Sequence, residues 1–206
     1  MHTKSKRLDY RTAKAIPSRR AGVIKKELKE VIDKYRNRGL EIEEVAVDGE
    51  FDSDKIRNHI APTTLDIHAK EEHVPEIERE NRTVKERARC VFHLLPYAVW
   101  PKLMLRELVS CVLYWLNRFP TTNSISQTLS PAAIVEGAGV PNLSDEKICF
   151  RSYEMVRVGT DNTMNSRSVL GIALGTLNDS GGFYFLNLRT VSRINGFKRT
   201  ELPIDQ

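Results

Sequence analysis

The feature that most constrains this chain is a change of hydrophobic period near Gly137. Upstream of it, apolar residues recur at helical spacing. Ile24, Leu28, Val31, Ile32 and Tyr35 share one helix face, and Gly39 is a good stop behind them. Ile42–Val47 and Thr64–His68 read as short strands, with Asp54–Ile60 a short helix ended by Pro62. A helix from about Pro75 and an apolar helix from Pro101 to Arg118 follow, and Ser130-Pro131 opens a short helix to Val135. Helices interleaved with short strands predict an α/β layer with crossovers. Downstream, Gly137, Gly139 and Pro141 mark a linker, and short alternating runs take over: Tyr153–Val158, Val169–Leu174, Gly182–Leu188 and Thr190–Ile194. These predict a small antiparallel β module. The expected division is a basic N-terminal arm over 1–20, an α/β core over 21–136, a linker over 137–149 and the β module over 150–206.

Composition narrows the partners. With 40% hydrophobic and 29% charged residues, the 206-residue chain has enough apolar surface for a folded core. The net charge of +5 suits a polyanionic partner, although distribution matters more than the total. Lys4, Lys6, Arg7, Arg11, Lys14, Arg19 and Arg20 crowd the first twenty residues, which read as a solvated terminus or as an arm on phosphates. Cys90, Cys111 and Cys149 are widely spaced, odd in number and without CxxC spacing, so buried reduced thiols are expected, not a disulfide framework or a zinc site. Met1–Arg7 is followed by no apolar run, and the apolar stretch near Leu103–Leu116 is broken by Arg106 and Glu107. An intracellular protein, nuclear or cytoplasmic, is expected, with no membrane partner and no small-molecule substrate.

Two stretches carry chemistry. Val45–Val47 is an apolar strand that ends on Asp48 and turns at Gly49-Glu50-Phe51. The helix from Pro75 begins with acids and continues with bases. At about 100° per residue, Ile77, Val84, Ala88 and Val91 line one stripe, while Glu78, Arg82, Lys85 and Arg89 line another. A strand-end Asp48 and a helical Glu78 are hard oxygen donors suited to Mg²⁺, which takes few protein carboxylates and leaves room for phosphate. Two such ions clamp the attacking and leaving oxygens of a phosphodiester. Asp48 and Glu78 are therefore the candidate catalytic and metal residues, with Glu50 in reserve, and Arg82, Lys85 and Arg89 the candidate nucleic-acid contacts. The plainer reading of the same helix is a solvated face with Glu78 and Arg82 paired at i,i+4.

Asp48-Gly49-Glu50-Phe51 and Glu78-Arg79-Glu80-Asn81-Arg82-Thr83, followed by Trp115-Leu116-Asn117-Arg118-Phe119-Pro120 and Thr128-Leu129-Ser130-Pro131, resemble the integrase region of a Copia-type LTR retrotransposon polyprotein. The module around Arg167–Gly175 and Gly181–Leu188 is similar to the small β domain that follows that core. The resemblance covers roughly residues 20–203. It implies an RNase H-like core, truncated here at its N-terminal strands, with a central mixed sheet and three acids holding two Mg²⁺ (or Mn²⁺) ions. The implied activity is 3′-end processing and strand transfer of DNA, with DNA as partner and a homo-oligomer as an allowed assembly. Asp48 matches the family's second acid and Glu78 its third.

Two departures stand out. No Asp lies in an apolar strand before Asp48: Asp9 sits in Arg7-Leu8-Asp9-Tyr10-Arg11, and Asp33 lies inside a helix. The 29 residues between Asp48 and Glu78 are also fewer than is usual for the family. His2, His59, His68, His73 and His93 have no accompanying CxxC, so the N-terminal zinc module of the family is not expected either. Two acids hold a pair of Mg²⁺ ions poorly, so the expectation is nucleic-acid binding with the transfer activity lost. The alternative is a non-catalytic binding or interaction protein co-opted from a transposon.

Overall fold

The computed structural model describes residues 1–48, 54–68, 75–94, 100–122, 124–137, 149–159, 163–176, 182–196 and 199–202. The chain forms two compact units. Unit 1 comprises Met1–Glu86 and Leu113–Val140, and unit 2 comprises Arg87–Val112 and Pro141–Gln206.

Unit 1 opens with a hairpin. Strand β1 (His2–Lys4) pairs antiparallel with β2 (Arg11–Ala13), His2 opposite Ala13 and Lys4 opposite Arg11. The turn is closed by Ser5 N–H donating to Tyr10 O at 2.8 Å and Asp9 N–H to Ser5 O at 3.0 Å. Asp9 sits there at φ 58°, a left-handed conformation that Asp tolerates better than most residues. Residues 1–13 are thus a folded hairpin with Leu8, Asp9, Tyr10 and Arg11 buried, while residues 14–20 are mostly exposed.

Helix α1 (Ala21–Arg36) carries the main apolar stripe of this unit. Ile24, Leu28 and Ile32 pack with Ile56 and Ile60 of α2 (Asp54–Ile60), and Val45 and Leu65 lie against them. Those last two belong to β3 (Glu44–Asp48) and β4 (Thr64–His68), which pair in parallel with Glu44 opposite Thr64 and Asp48 opposite His68. Tyr35, near the C-terminus of α1, joins a second cluster with Leu8, Tyr10 and Val135, its ring edge-on to Tyr10 at 5.9 Å. Burial pushes the Tyr35 hydroxyl up to about 12. Val135 lies on α5 (Pro131–Glu136), whose predicted cap is present: Ser130 Oγ accepts from Ala133 N–H at 3.1 Å, and Gly137 closes the helix at φ 68°. Where the resemblance implied one central mixed sheet, the described residues of unit 1 form two two-stranded sheets.

The division between the units falls inside two helices, after Glu86 in α3 (Pro75–His93) and after Val112 in α4 (Lys102–Arg118). The sequence places the boundary at the Gly137 linker, because a helix that continues from one unit into the next leaves no break in composition. Residues 138–148 of that linker lie outside the described residues.

Unit 2 is built on a five-stranded antiparallel sheet in the order β8-β7-β6-β5-β9. Its strands are β5 (Tyr153–Arg157), β6 (Ser168–Thr176), β7 (Phe183–Asn187), β8 (Arg193–Gly196) and β9 (Arg199–Glu201). The first three match the alternating runs of the sequence. The run Thr190–Ile194 does not form a strand as such: Asn187 Oδ1 accepts from Arg189 and Thr190 N–H, Val191 turns at φ 52°, and pairing resumes only at Arg193. Strand β9 has only three residues, too few for alternation to register. One sheet face packs on Trp100, Leu103 and Met104 through Ile172, Leu174 and Leu186. The other gathers Val156, Ala173 and Phe185, all fully buried. Glu154, also fully buried on that side, is held by Arg199 Nη1 at 2.8 Å. The three cysteines are free, and Cys90 and Cys149 are exposed where burial was expected, Cys90 because it falls on the solvent side of α3. No described helix is long and apolar enough to cross a membrane.

Gly196 lies where the two-sided packing leaves no volume. A Cβ there would collide with Val156 Cγ1 and press on Phe185 Cε2. Gly196→Ala is expected to destabilise unit 2 by about 1–3 kcal/mol, the usual cost of overpacking a filled core. Urea unfolding followed by Trp fluorescence checks it, and an unchanged midpoint would show that the sheet yields there.

Candidate nucleic-acid interface

Helix α3 begins at Pro75 with Glu76 and Glu78 in its first turn, where the unsatisfied N–H groups favour negative charge. Val84 is buried, and Ile77, Asn81, Ala88 and Val91 are half-buried, so the predicted inner stripe faces inward. The residue it buries most deeply is a charged one: Glu80 is 4% exposed. Glu78 is two positions earlier, about 200° around the helix, and is exposed. Arg82, Lys85 and Arg89 are exposed as well, as the phase of the sequence predicts. The i,i+4 partner of Arg82 is Glu86, at 3.1 Å between two well-exposed side chains. Such a pair contributes only a few tenths of a kcal/mol, so it does not prevent the guanidinium from turning to a phosphate.

What fixes the phase of the helix is a cluster of four charges. Arg11 Nε meets Glu80 Oε1 at 2.5 Å, and Arg11 Nη2 meets Asp9 Oδ2 at 2.9 Å. Lys4 Nζ lies 2.9 Å from Asp9 Oδ1 and 3.1 Å from Glu80 Oε2. Two cations and two carboxylates alternate, so the cluster is neutral. Arg11 is held further by its backbone: its N–H donates to Asn117 Oδ1 at 2.9 Å, and Asn117 Nδ2 donates back to Arg11 O at 2.7 Å. His2 Nδ1 lies 2.7 Å from Asn81 Oδ1, one residue along from Glu80. The hairpin therefore grips α3 at two successive positions. For both carboxyls burial opposes ionisation, but it is outweighed by the hydrogen bond from Lys4 and the charge of Arg11 at Asp9, and by the hydrogen bonds from Arg11 and Lys4 at Glu80. Both titrate below the ordinary carboxylate range.

The proposed metal pair is less complete. Asp48 is the last residue of β3, with its Cα opposite that of His68. Its side chain lies outside the described residues, as does Glu50, so the expected approach of Asp48 and Glu78 lies outside them too. Both acids belong to unit 1. Among the described residues, no group of three or more His, Cys, Asp or Glu could hold a metal ion. Asp9, the only acid before α1, is engaged by Lys4 and Arg11.

Sequence reasoning missed the cluster because three of its four members read as part of a charged terminus. One signal was available. Glu80 lies one turn before Val84 on the inner face of α3, and an acid in the apolar phase of a helix asks for a buried cation.

No family model matches the chain, and no curated protein matches it. Among solved structures it is similar to a chain in the cryoEM structure of the simian T-cell lymphotropic virus intasome in complex with PP2A regulatory subunit B56 gamma. The identity is 12% and the TM-score 0.43, over 97% of this chain and 72% of that one. A likeness of that degree carries no argument about function.

The cluster makes unit 1 acid-sensitive. Carboxyls with depressed values stabilise the fold above their ordinary range near pH 4, and that contribution is lost as pH falls through the lower folded values. Arg11→Met leaves two buried carboxylates sharing Lys4. It is expected to cost about 3 kcal/mol and to move acid unfolding to higher pH. Glu80→Gln removes one charge and should cost less. Far-UV circular dichroism across pH 2–7 checks both, and coincident acid transitions for wild type and Arg11→Met would reject the role given to the cluster.

Proposed function

We propose that this chain is an integrase-like protein that binds the DNA backbone along α3 through Arg82, Lys85 and Arg89. The observation that carries the reading is the exposure of these three bases beside Glu78, on the side of the helix away from buried Glu80. Phosphate contacts need mobile, accessible cations and no particular base sequence. The net charge of +5 agrees with a polyanionic partner. On this reading Asp48 and Glu78 are the metal ligands. Their carboxylates are the hard donors that Mg²⁺ or Mn²⁺ prefers, and a bound ion would supply charge neutralisation at a phosphodiester.

Strand transfer in the family that the sequence resembles uses three acids. Asp9, engaged by Lys4 and Arg11, is no candidate for the third, and that observation favours binding without transfer by this chain.

Filter binding of duplex DNA across a salt series tests the proposal. Phosphate contacts release counterions, so replacing Arg82, Lys85 and Arg89 together by Ala should make the log–log slope shallower by about 2 to 3. The loss should be the same for unrelated sequences. Glu78→Gln should leave affinity unchanged or raise it, because it removes a negative charge from the path of the phosphates. Equal slopes for wild type and triple variant would reduce this stripe to a solvated helix face.

A further inference from the structure

The sheet of unit 2 carries a second surface that DNA binding along α3 does not use. Directly opposed residues of neighbouring strands point to the same side of a sheet. One row across the strands, Tyr153 opposite Ile172 opposite Leu186, is covered by Trp100, Leu103 and Met104. The adjacent row on that face lies two residues along each strand. Met155 stands opposite Leu170, and Leu188 N–H donates to Leu170 O at 3.1 Å, which places Leu188 next in line. These three side chains are 41%, 42% and 41% exposed. They form an unbroken aliphatic line over three neighbouring strands, continuous with the covered row.

Its border is cationic. Arg157 follows Met155 by two residues and so shares its face, and Arg189 directly follows Leu188. Both arginines are exposed. A single-stranded nucleic acid would meet these charges but would find no ring in the row on which to stack a base. The spacing favours a helix. Neighbouring strands lie about 4.8 Å apart, so three side chains span about 10 Å. Residues i and i+7 of an α-helix lie about 10.5 Å apart along one face. Aliphatic anchors at i, i+4 and i+7 would meet Leu188, Leu170 and Met155 in turn.

We propose that the Met155–Leu170–Leu188 row is a docking site for an acidic amphipathic helix of a partner protein. The aliphatic face of that helix lies on the row, and its Asp or Glu side chains lie on Arg157 and Arg189. The charges steer the encounter and fix the direction of the helix, while the row supplies the contact area. The inference is independent of DNA binding by α3, since it uses none of the same residues.

The test uses the full chain and three labelled synthetic helical peptides. One has Leu at i, i+4 and i+7 with Glu elsewhere on its polar face, one has the same Leu pattern with Lys, and one has scrambled Leu positions with Glu. Fluorescence anisotropy should show binding of the first only, weakening as salt is raised. Leu170→Glu should weaken it about tenfold or more, as for a central anchor. Leu170 is already half-exposed, so this variant should keep the wild-type urea midpoint; Met155→Gln gives a second reading at the same row. Arg157→Glu with Arg189→Glu should abolish binding of the acidic peptide without altering the urea midpoint. Equal binding of the scrambled or Lys peptide overturns the proposal, as does no binding at about 1 mM, the weak end of specific association. Two other occupants are also distinguished. Loss of single-stranded DNA binding in Leu170→Glu would assign the row to nucleic acid, and a dimer that Leu170→Glu disperses would assign it to a second copy. Either result overturns the proposal.

Discussion

Everything proposed for α3 depends on the neutral cluster of Lys4, Asp9, Arg11 and Glu80. Removing four charges from water is costly, and their mutual attraction repays the cost only when each is well placed. Here each carboxylate meets both cations within 3.1 Å, and the Arg11 backbone is fastened on both sides by Asn117. A hydrophobic patch in the same place would tolerate rotation of the helix; an ionic set with fixed partners does not. Because Glu80 has one position in which it is satisfied, Glu78, Arg82 and Lys85 have one direction in which to project. The cluster thus contributes orientation as well as stability.

The helices and most of the β module were legible in the sequence because their physics is periodic. Ile24, Leu28 and Ile32 repeat at helical spacing and pack as one stripe. Ser130-Pro131 has the chemistry of a helix start and caps as one. Strand β5 alternates in burial, and β6 and β7 are apolar runs of five or more residues. The hairpin was not legible, because its strands have three residues each and half of its buried members are charged. Composition reads Arg11 as solvated, whereas its contacts with Asp9, Glu80 and Asn117 hold it in the interior.

The candidate site divides along the same line. Exposure of Arg82, Lys85 and Arg89 follows from helical phase alone, and they are exposed. The buried anchor opposite them is a tertiary fact, since Arg11 and Glu80 are 69 residues apart. In unit 2, alternation identified which strand residues share a face. It did not say that Trp100, Leu103 and Met104, in a segment the sequence assigns to the α/β core, would cover one row and leave the next open.

The separation of partners along the chain has a consequence for how the protein comes into being. Synthesis runs from the N-terminus, so the hairpin leaves the ribosome before the residues that cover it. Arg11 must wait for Glu80, then for Asn117, 106 residues downstream, and Tyr10 waits for Glu136, 126 residues away. Until those residues emerge, the charges that end up buried remain hydrated, and Leu8 and Tyr10 remain uncovered. Contacts of such long sequence separation form slowly, because the loops they close are long. The hairpin, made before its partners, thus settles only after them, and for that interval Leu8 and Tyr10 are apolar surface open to chaperones or to misassociation.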